Sequence, residues 1–220
     1  MPSLRILFLD FDGVLNSAAY LRRWVISRRR ATPSRKASAL LMAATSKLDP
    51  QAVCRVNRIV EATDAKIVVC SSWRHYYPLA QLRRILRGRG LVGSVVGVTP
   101  AIVDVERGTE CAAWLATHRR AAWSFAALDD DGDYEPMMDR LVQTKDGLRD
   151  KHVGATVARL QSPAGDQVAG WRARADRLMS GAVPIVPPRR PMEAGSAAQF
   201  VREAYAVHGY SNMVKVKPRP

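Results

Sequence analysis

Cysteine is scarce in this chain of 220 residues, with only Cys54, Cys70 and Cys111 present. An odd number of widely spaced thiols in apolar surroundings argues against a disulfide framework and reads as reduced core cysteines of a cytosolic protein. With no CxxC pair and no Cys/His cluster, nothing suggests a zinc site. No apolar run approaches the roughly 20 residues that a membrane helix needs, so no membrane partner is expected. The amino terminus runs directly into a strand and leaves no room for a signal peptide, so the expected location is the cytoplasm. A GxxxxGK[ST] sequence is missing, which excludes a P-loop nucleotide hydrolase. Acidic residues are missing altogether from residues 20–47.

What is present begins with an ordinary globular composition, 47% hydrophobic and 25% charged, in a chain long enough for one α/β domain with its own core. The net charge of +14 is concentrated in two places. Residues 20–47 hold eight Lys/Arg and no acid, and residues 156–220 hold ten basic and four acidic residues. Everything else has sixteen of each sign. A neutral body carrying a basic insertion and a basic tail would attract a polyanion such as RNA or DNA. The alternative is that both segments merely solubilise the chain, and no nucleic-acid-binding motif accompanies them.

Short apolar runs that end in polar groups set the organisation. Residues 6–9 form one such run, followed by Asp10, Asp12 and Gly13, and a strand buried on both faces has this form. Alternation along the strand puts Asp10 and Asp12 on one side. Such a pair either holds a cation or keeps one proton, unless both acids are simply solvated at the mouth of a loop. Residues 65–70 form a second run ending in Ser71-Ser72-Trp73-Arg74, and residues 123–128 form a third ending in Asp129-Asp130-Asp131-Gly132-Asp133. Residues 94–98 read as a weaker strand and residues 141–144 as an edge strand.

Between them, Asp49 and Pro50 mark a helix start over residues 50–63, and apolar spacing predicts further helices over 78–89, 107–118 and about 151–160. Alternating strands and helices predict βαβ units and a mainly parallel sheet. Residues 17–47 show no clear period and are expected to form an irregular basic flap. Residues 162–220 contain twelve Pro or Gly; Asp166 and Ser196 are candidate helix caps there. This extension is either a docked helical appendage or an arm that orders on binding.

The motifs LFLDFDGVLN, IVVCSSWR and FAALDDDGD, in that order and each at a strand end, resemble those of the haloacid dehalogenase (HAD) phosphohydrolase superfamily. The SSWR spelling is most similar to the small HAD domain of bacterial Swiss Army Knife RNA-repair proteins, and the resemblance covers roughly residues 4–160. It implies a three-layer, Rossmann-like α/β fold with a minimal cap over residues 1–161, followed by the basic C-terminal extension. It also implies Mg²⁺-dependent phosphomonoester hydrolysis. Asp10 would be the nucleophile forming an aspartyl-phosphate, and Asp12 the general acid and base.

The metal would take Asp10, the Asp12 carbonyl and one acid of Asp129-Asp130, with Asp130 favoured as the direct ligand and Asp129 behind it. Ser71 would bond a phosphoryl oxygen, with Ser72 and Arg74 as candidate substrate contacts. Arg107 fits the basic residue of the third motif, with Arg74 and Lys145 as rivals. Trp73 reads as a packing residue. With only residues 17–47 in the cap position, the site should be open, which suits a phosphate on a nucleic-acid end or nucleotide. The alternatives are a small-metabolite phosphatase and a non-catalytic basic module that binds nucleic acid.

Overall fold

The structure is a computed structural model that describes residues 4–31, 47–118 and 124–164, and five residues of the tail between 170 and 177. Five strands, β1 (Arg5–Leu9), β2 (Lys66–Val69), β3 (Val95–Val98), β4 (Ser124–Asp129) and β5 (Leu141–Gln143), form one sheet. Its order is β3-β2-β1-β4-β5, and every pairing is parallel. The helices are α1 (Ala18–Ala31), α2 (Pro50–Thr63), α3 (Leu79–Arg87), α4 (Arg107–Thr117) and α5 (Asp150–Gln161). The expected α/β architecture is therefore present. The chain divides into two units, Met1–Tyr20 with Leu48–Pro188 and Leu21–Lys47 with Arg189–Pro220. All five strands and helices α2 to α5 lie in the first.

Strand parity assigns the layers. Ile6 and Phe8 of β1, Val68 of β2, and Phe125 and Ala127 of β4 share a core with Cys111, Trp114 and Leu115 of α4. Phe8 packs edge-on against both Trp114 and Phe125, at 6.0 and 6.2 Å between ring centroids. Such pairs add about 0.5–1.5 kcal/mol each beyond their area. Leu7 and Leu9 point to the opposite layer, where α5 packs on α2 and on β1, β4 and β5. Because parity continues past the strand ends, Asp10, Cys70 and Asp129 all fall on the α4 face.

Helix α2 forms where its signals stand. The Asp49 side chain accepts from the Gln51 N–H at 2.9 Å, and Pro50 opens the helix. Such a cap contributes about 1 kcal/mol. Asp64 closes the helix in the left-handed conformation, with φ of 52°.

One expectation is corrected. Residues 18–31 are helical rather than an irregular flap. The Ser17 Oγ accepts from the Tyr20 N–H at 3.1 Å, and the Asp146 carboxylate accepts from the Ala18 N–H at 2.9 Å. Ala, Leu, Ile and Arg then favour the helix although its scattered arginines hide any period. Residues 32–46 of the basic segment lie outside the described residues.

The described part of the extension past residue 161 is packed against the core. Ala164 and Trp171 are buried in it, and the Trp171 ring lies 5.3 Å from that of Phe125. Ser124 Oγ donates toward the Leu160 and Ser162 carbonyls, while the Arg140 guanidinium donates to those of Arg159, Ser162 and Pro163. The helix proposed to start at Ser196 lies outside the described residues.

Candidate active site

Register brings the motifs together. Leu9 pairs with Val69 on one side and with Leu128 on the other, so the next residues, Asp10, Cys70 and Asp129, stand abreast at the carboxyl edge. The ladder continues one step further, with Asp10 N–H donating to the Leu128 carbonyl at 3.0 Å and Cys70 N–H to that of Leu9 at 3.1 Å. The strand order reverses between β1 and β4, and open parallel sheets bind ligands at this kind of reversal.

After Asp10 the chain makes a tight turn in which the Phe11 carbonyl accepts from the N–H groups of Val14, Leu15 and Asn16. Gly13 adopts φ of +70°, and a Cβ there would lie 2.1 Å from the Asp130 carboxyl carbon. Only glycine lets the β1 loop pass so close to that side chain. The same turn is tied to β5, because Thr144 Oγ donates to the Gly13 carbonyl at 2.9 Å and Gly147 N–H donates to it at 2.6 Å.

Asp10, Asp129 and Asp130 each present an oxygen, all within 4.8 Å of one another. Asp10 is 4% exposed and Asp129 fully buried. Burial raises both carboxyls well above the ordinary carboxylate range; Arg107 opposes the rise in each, and the charge of Asp10 adds to that of Asp129. Asp129 is further engaged, its Oδ1 accepting from Asp131 N–H at 3.0 Å and its Oδ2 from Tyr134 Oη at 2.7 Å.

Arg107 opens α4 beneath this cluster. Its Nη1 reaches Asp10 Oδ1 at 3.1 Å, and its Nε lies 3.4 Å from Asp129 Oδ2 and 3.9 Å from Asp133 Oδ1. Burial disfavours its charge, but Asp10 and Asp129 outweigh that and hold the guanidinium protonated more firmly than usual. Arg107 thus faces Asp10, Asp129 and Asp133 together. The donors are all carboxylate oxygens, which suits a hard cation. Three carboxylate oxygens gathered within 4.8 Å of one another are the donor type that magnesium takes.

Asp12 is half-buried, and its charge adds to the rise at Asp10. Asn16 Nδ2 donates to its Oδ1 at 2.7 Å, and Trp73 Nε1 donates to its Oδ2 at 2.9 Å. Ser71 is fully buried at the start of a 3₁₀ turn over Ser72–His75, and its Oγ accepts from Trp73 N–H at 3.4 Å. Ser72 is half-buried in that turn.

Arg74 is the candidate that the structure takes away from a substrate. Its guanidinium pairs with Glu110 and donates to the Cys70 carbonyl, and both side chains are buried. Lys145 is exposed in the loop after β5. Of the three basic candidates, Arg107 is the one brought to Asp10 and Asp129.

The sequence reading passed over three contacts. Trp73 touches Asp12 as well as the core, Asn16 grips the other oxygen of Asp12, and Tyr134 supports Asp129. The first lies two residues beyond Ser71 inside the SSWR motif, which was a usable signal. Tyr134 had none.

A parallel sheet with acids at the ends of its first and fourth strands, a hydroxyl at the end of the second and an arginine opening the helix beside them defines a protein of the haloacid dehalogenase type. The family described as the HAD domain in Swiss Army Knife RNA repair proteins matches residues 6–153, and the chain belongs to it. Comparison with curated proteins and with solved structures finds no match. Among the described residues, no helix is long and apolar enough to cross a membrane.

Proposed function

We propose that the chain is a Mg²⁺-dependent phosphomonoester hydrolase that works through an aspartyl-phosphate on Asp10 and acts on nucleic-acid ends or nucleotides. The observation that carries this reading is the cluster of buried Asp10 and Asp129 with half-buried Asp130, faced by Arg107, at the reversal of a parallel sheet. Membership of a family described by RNA repair supports the substrate class.

In this reading an Asp10 oxygen attacks phosphorus as the bond to the leaving oxygen breaks. Asp12 gives that oxygen a proton, then takes one from the water that attacks the phosphorus of the aspartyl-phosphate. Phosphate leaves and both carboxyls return to their starting states. Asn16 Nδ2 and Trp73 Nε1 each donate to one Asp12 oxygen, which orients the carboxyl for that transfer. Arg107 stabilises negative charge on the transferring group. Asp10, Asp129 or Asp130, and the Asp12 carbonyl would hold Mg²⁺, which when bound neutralises phosphate charge against an anionic nucleophile. We favour Asp130 as the direct ligand, with Asp129, held by Asp131 N–H and Tyr134 Oη, behind it.

The cationic segments support a polyanionic substrate. Helix α1 exposes Arg22, Arg23, Arg28 and Arg30. Within that unit, Arg28 and Lys47 each lie 5.6 Å from the centroid of the Trp24 ring. The test is phosphate release from end-phosphorylated RNA and DNA oligomers and from mononucleotides, with and without Mg²⁺. The expected result is Mg²⁺-dependent release that prefers oligomers and falls steeply with salt. A preference for mononucleotides with little salt effect would move the reading to a small-metabolite phosphatase. Oligomer binding without release would leave a binding module.

A further inference from the structure

We infer that Trp73 is the positioning residue for the acid and base Asp12, so that the second motif serves the proton as well as the phosphate. This inference rests on the phosphatase reading above. An indole N–H is a donor only, and when buried it must find an acceptor. Trp73 is 3% exposed, and the acceptor it meets is Asp12 Oδ2, at 2.9 Å.

The indole has little freedom to be anywhere else. Its ring lies 5.2 Å from that of Phe11, edge-on, and 5.7 Å from that of Tyr77. Its backbone N–H is held by Ser71 Oγ at 3.4 Å, and its carbonyl accepts from the Tyr76 and Tyr77 N–H groups at 3.0 Å each. A rigid donor of this kind fixes the plane of the carboxylate it touches. Asn16 fixes the other oxygen from within the β1 loop, at 2.7 Å. An aspartate with two free torsions is thus presented in one orientation, and small errors in the placement of a reacting group are costly.

The SSWR segment then reads as one device. Ser71 faces the phosphoryl site, Trp73 orients the proton donor, and Arg74 ties the turn to α4 through Glu110 and to the Cys70 carbonyl. None of these contacts requires Trp73 to meet the substrate, which is why it is a positioning residue and not a catalytic one.

The test is Trp73→Phe, which keeps an aromatic ring in the core and deletes the N–H. Leaving-group release is measured in single turnover with Mg²⁺ for two probes, p-nitrophenyl phosphate and a nucleoside monophosphate. Nitrophenolate departs without a proton, whereas the nucleoside alkoxide must receive one. Because general-acid assistance contributes typically 10²–10⁴-fold, misplacing the acid should slow nucleoside release by about 10–100-fold and nitrophenolate release by less than about threefold.

Equal slowing of both probes, or of neither, would overturn the inference while leaving the phosphatase reading intact. If the wild type releases neither leaving group, the phosphatase reading fails and the inference falls with it. Should Trp73→Phe not fold, benzothienylalanine at this position, the same shape with sulfur in place of the N–H, makes the same comparison.

Discussion

Two arginines meet at the carbonyl oxygen of Cys70, and they belong to opposite kinds of site. Arg74 is matched one to one with the buried Glu110, whose other oxygen accepts from the Ile102 N–H at 3.0 Å. Arg107 reaches the same carbonyl at 3.1 Å but faces Asp10, Asp129 and Asp133 together. One acid stands against the first and three against the second. A matched buried pair holds a turn in place; a cluster of acids around one arginine suits a cation and a phosphate. The motif order alone could not separate the two, because both arginines follow strand ends at plausible positions.

The comparison can be broken from either side. Removing Arg107 with Arg107→Gln should lower kcat by about 10²–10³-fold at saturating Mg²⁺, the size expected for losing a preorganised charge in the transition state. The thermal midpoint should fall, since Asp10 and Asp129 lose their cation, but the variant should stay folded at the assay temperature; a loss of kcat that tracks unfolding alone would place Arg107 with Arg74 instead.

On the matched side, Arg74→Met or Glu110→Gln alone should destabilise by about 3–5 kcal/mol, because each leaves an unpaired or unsatisfied buried group. The double change Arg74→Met with Glu110→Leu should recover most of that loss in a denaturant titration. Its kcat should lie within a few-fold of wild type. A double variant that is stable but inactive would give Arg74 a role at the substrate.

Smaller effects sharpen the picture. Gly13→Ala should push Asp130 aside, since the added Cβ would sit 2.1 Å from its carboxyl carbon and the backbone is at φ of +70°. Raising the Mg²⁺ concentration needed for half-maximal activity by about tenfold corresponds to about 1.4 kcal/mol of lost metal affinity.

The smallest effect lies far from the site, at His152, whose Nδ1 accepts from the Arg149 N–H at 3.0 Å and so requires a neutral ring. Burial, then Lys151 and Arg149, lower its pKa. The contribution is complete above the unfolded value of about 6.5 and is lost as pH falls below it toward the lower folded value. Between pH 7.5 and 5.5 the wild-type Tm should drop by about 2 °C more than that of His152→Gln.

The parts of this account that were legible in the sequence share a cause. Strands β1, β2 and β4 are buried on both faces, so each is a continuous apolar run, and a polar group at its end stands out. Asp49-Pro50 announced α2 because a cap is local chemistry. Helix α1 was hidden because arginines recur around Leu21, Trp24 and Val25 with no clean period. Between a docked appendage and an arm the sequence left the choice open, because Ala164 and Trp171 are single residues that pack beyond a helix end. The pairing of Arg74 with Glu110 and the grip of Trp73 on Asp12 join residues far apart in the chain, so although the SSWR motif marks Trp73 and Arg74, their partners carry no local pattern.

Asp10, the buried acid that faces Arg107 across the cluster, is the residue expected to become phosphorylated. The most direct measurement is to quench a turnover of p-nitrophenyl phosphate and reduce the protein with borohydride, which converts an aspartyl-phosphate to homoserine, and then to locate the changed residue by mass spectrometry. The account predicts homoserine at Asp10, formed only with Mg²⁺ and absent in Asp10→Asn. Continued turnover by Asp10→Asn, or modification at another acid of the cluster, would contradict it.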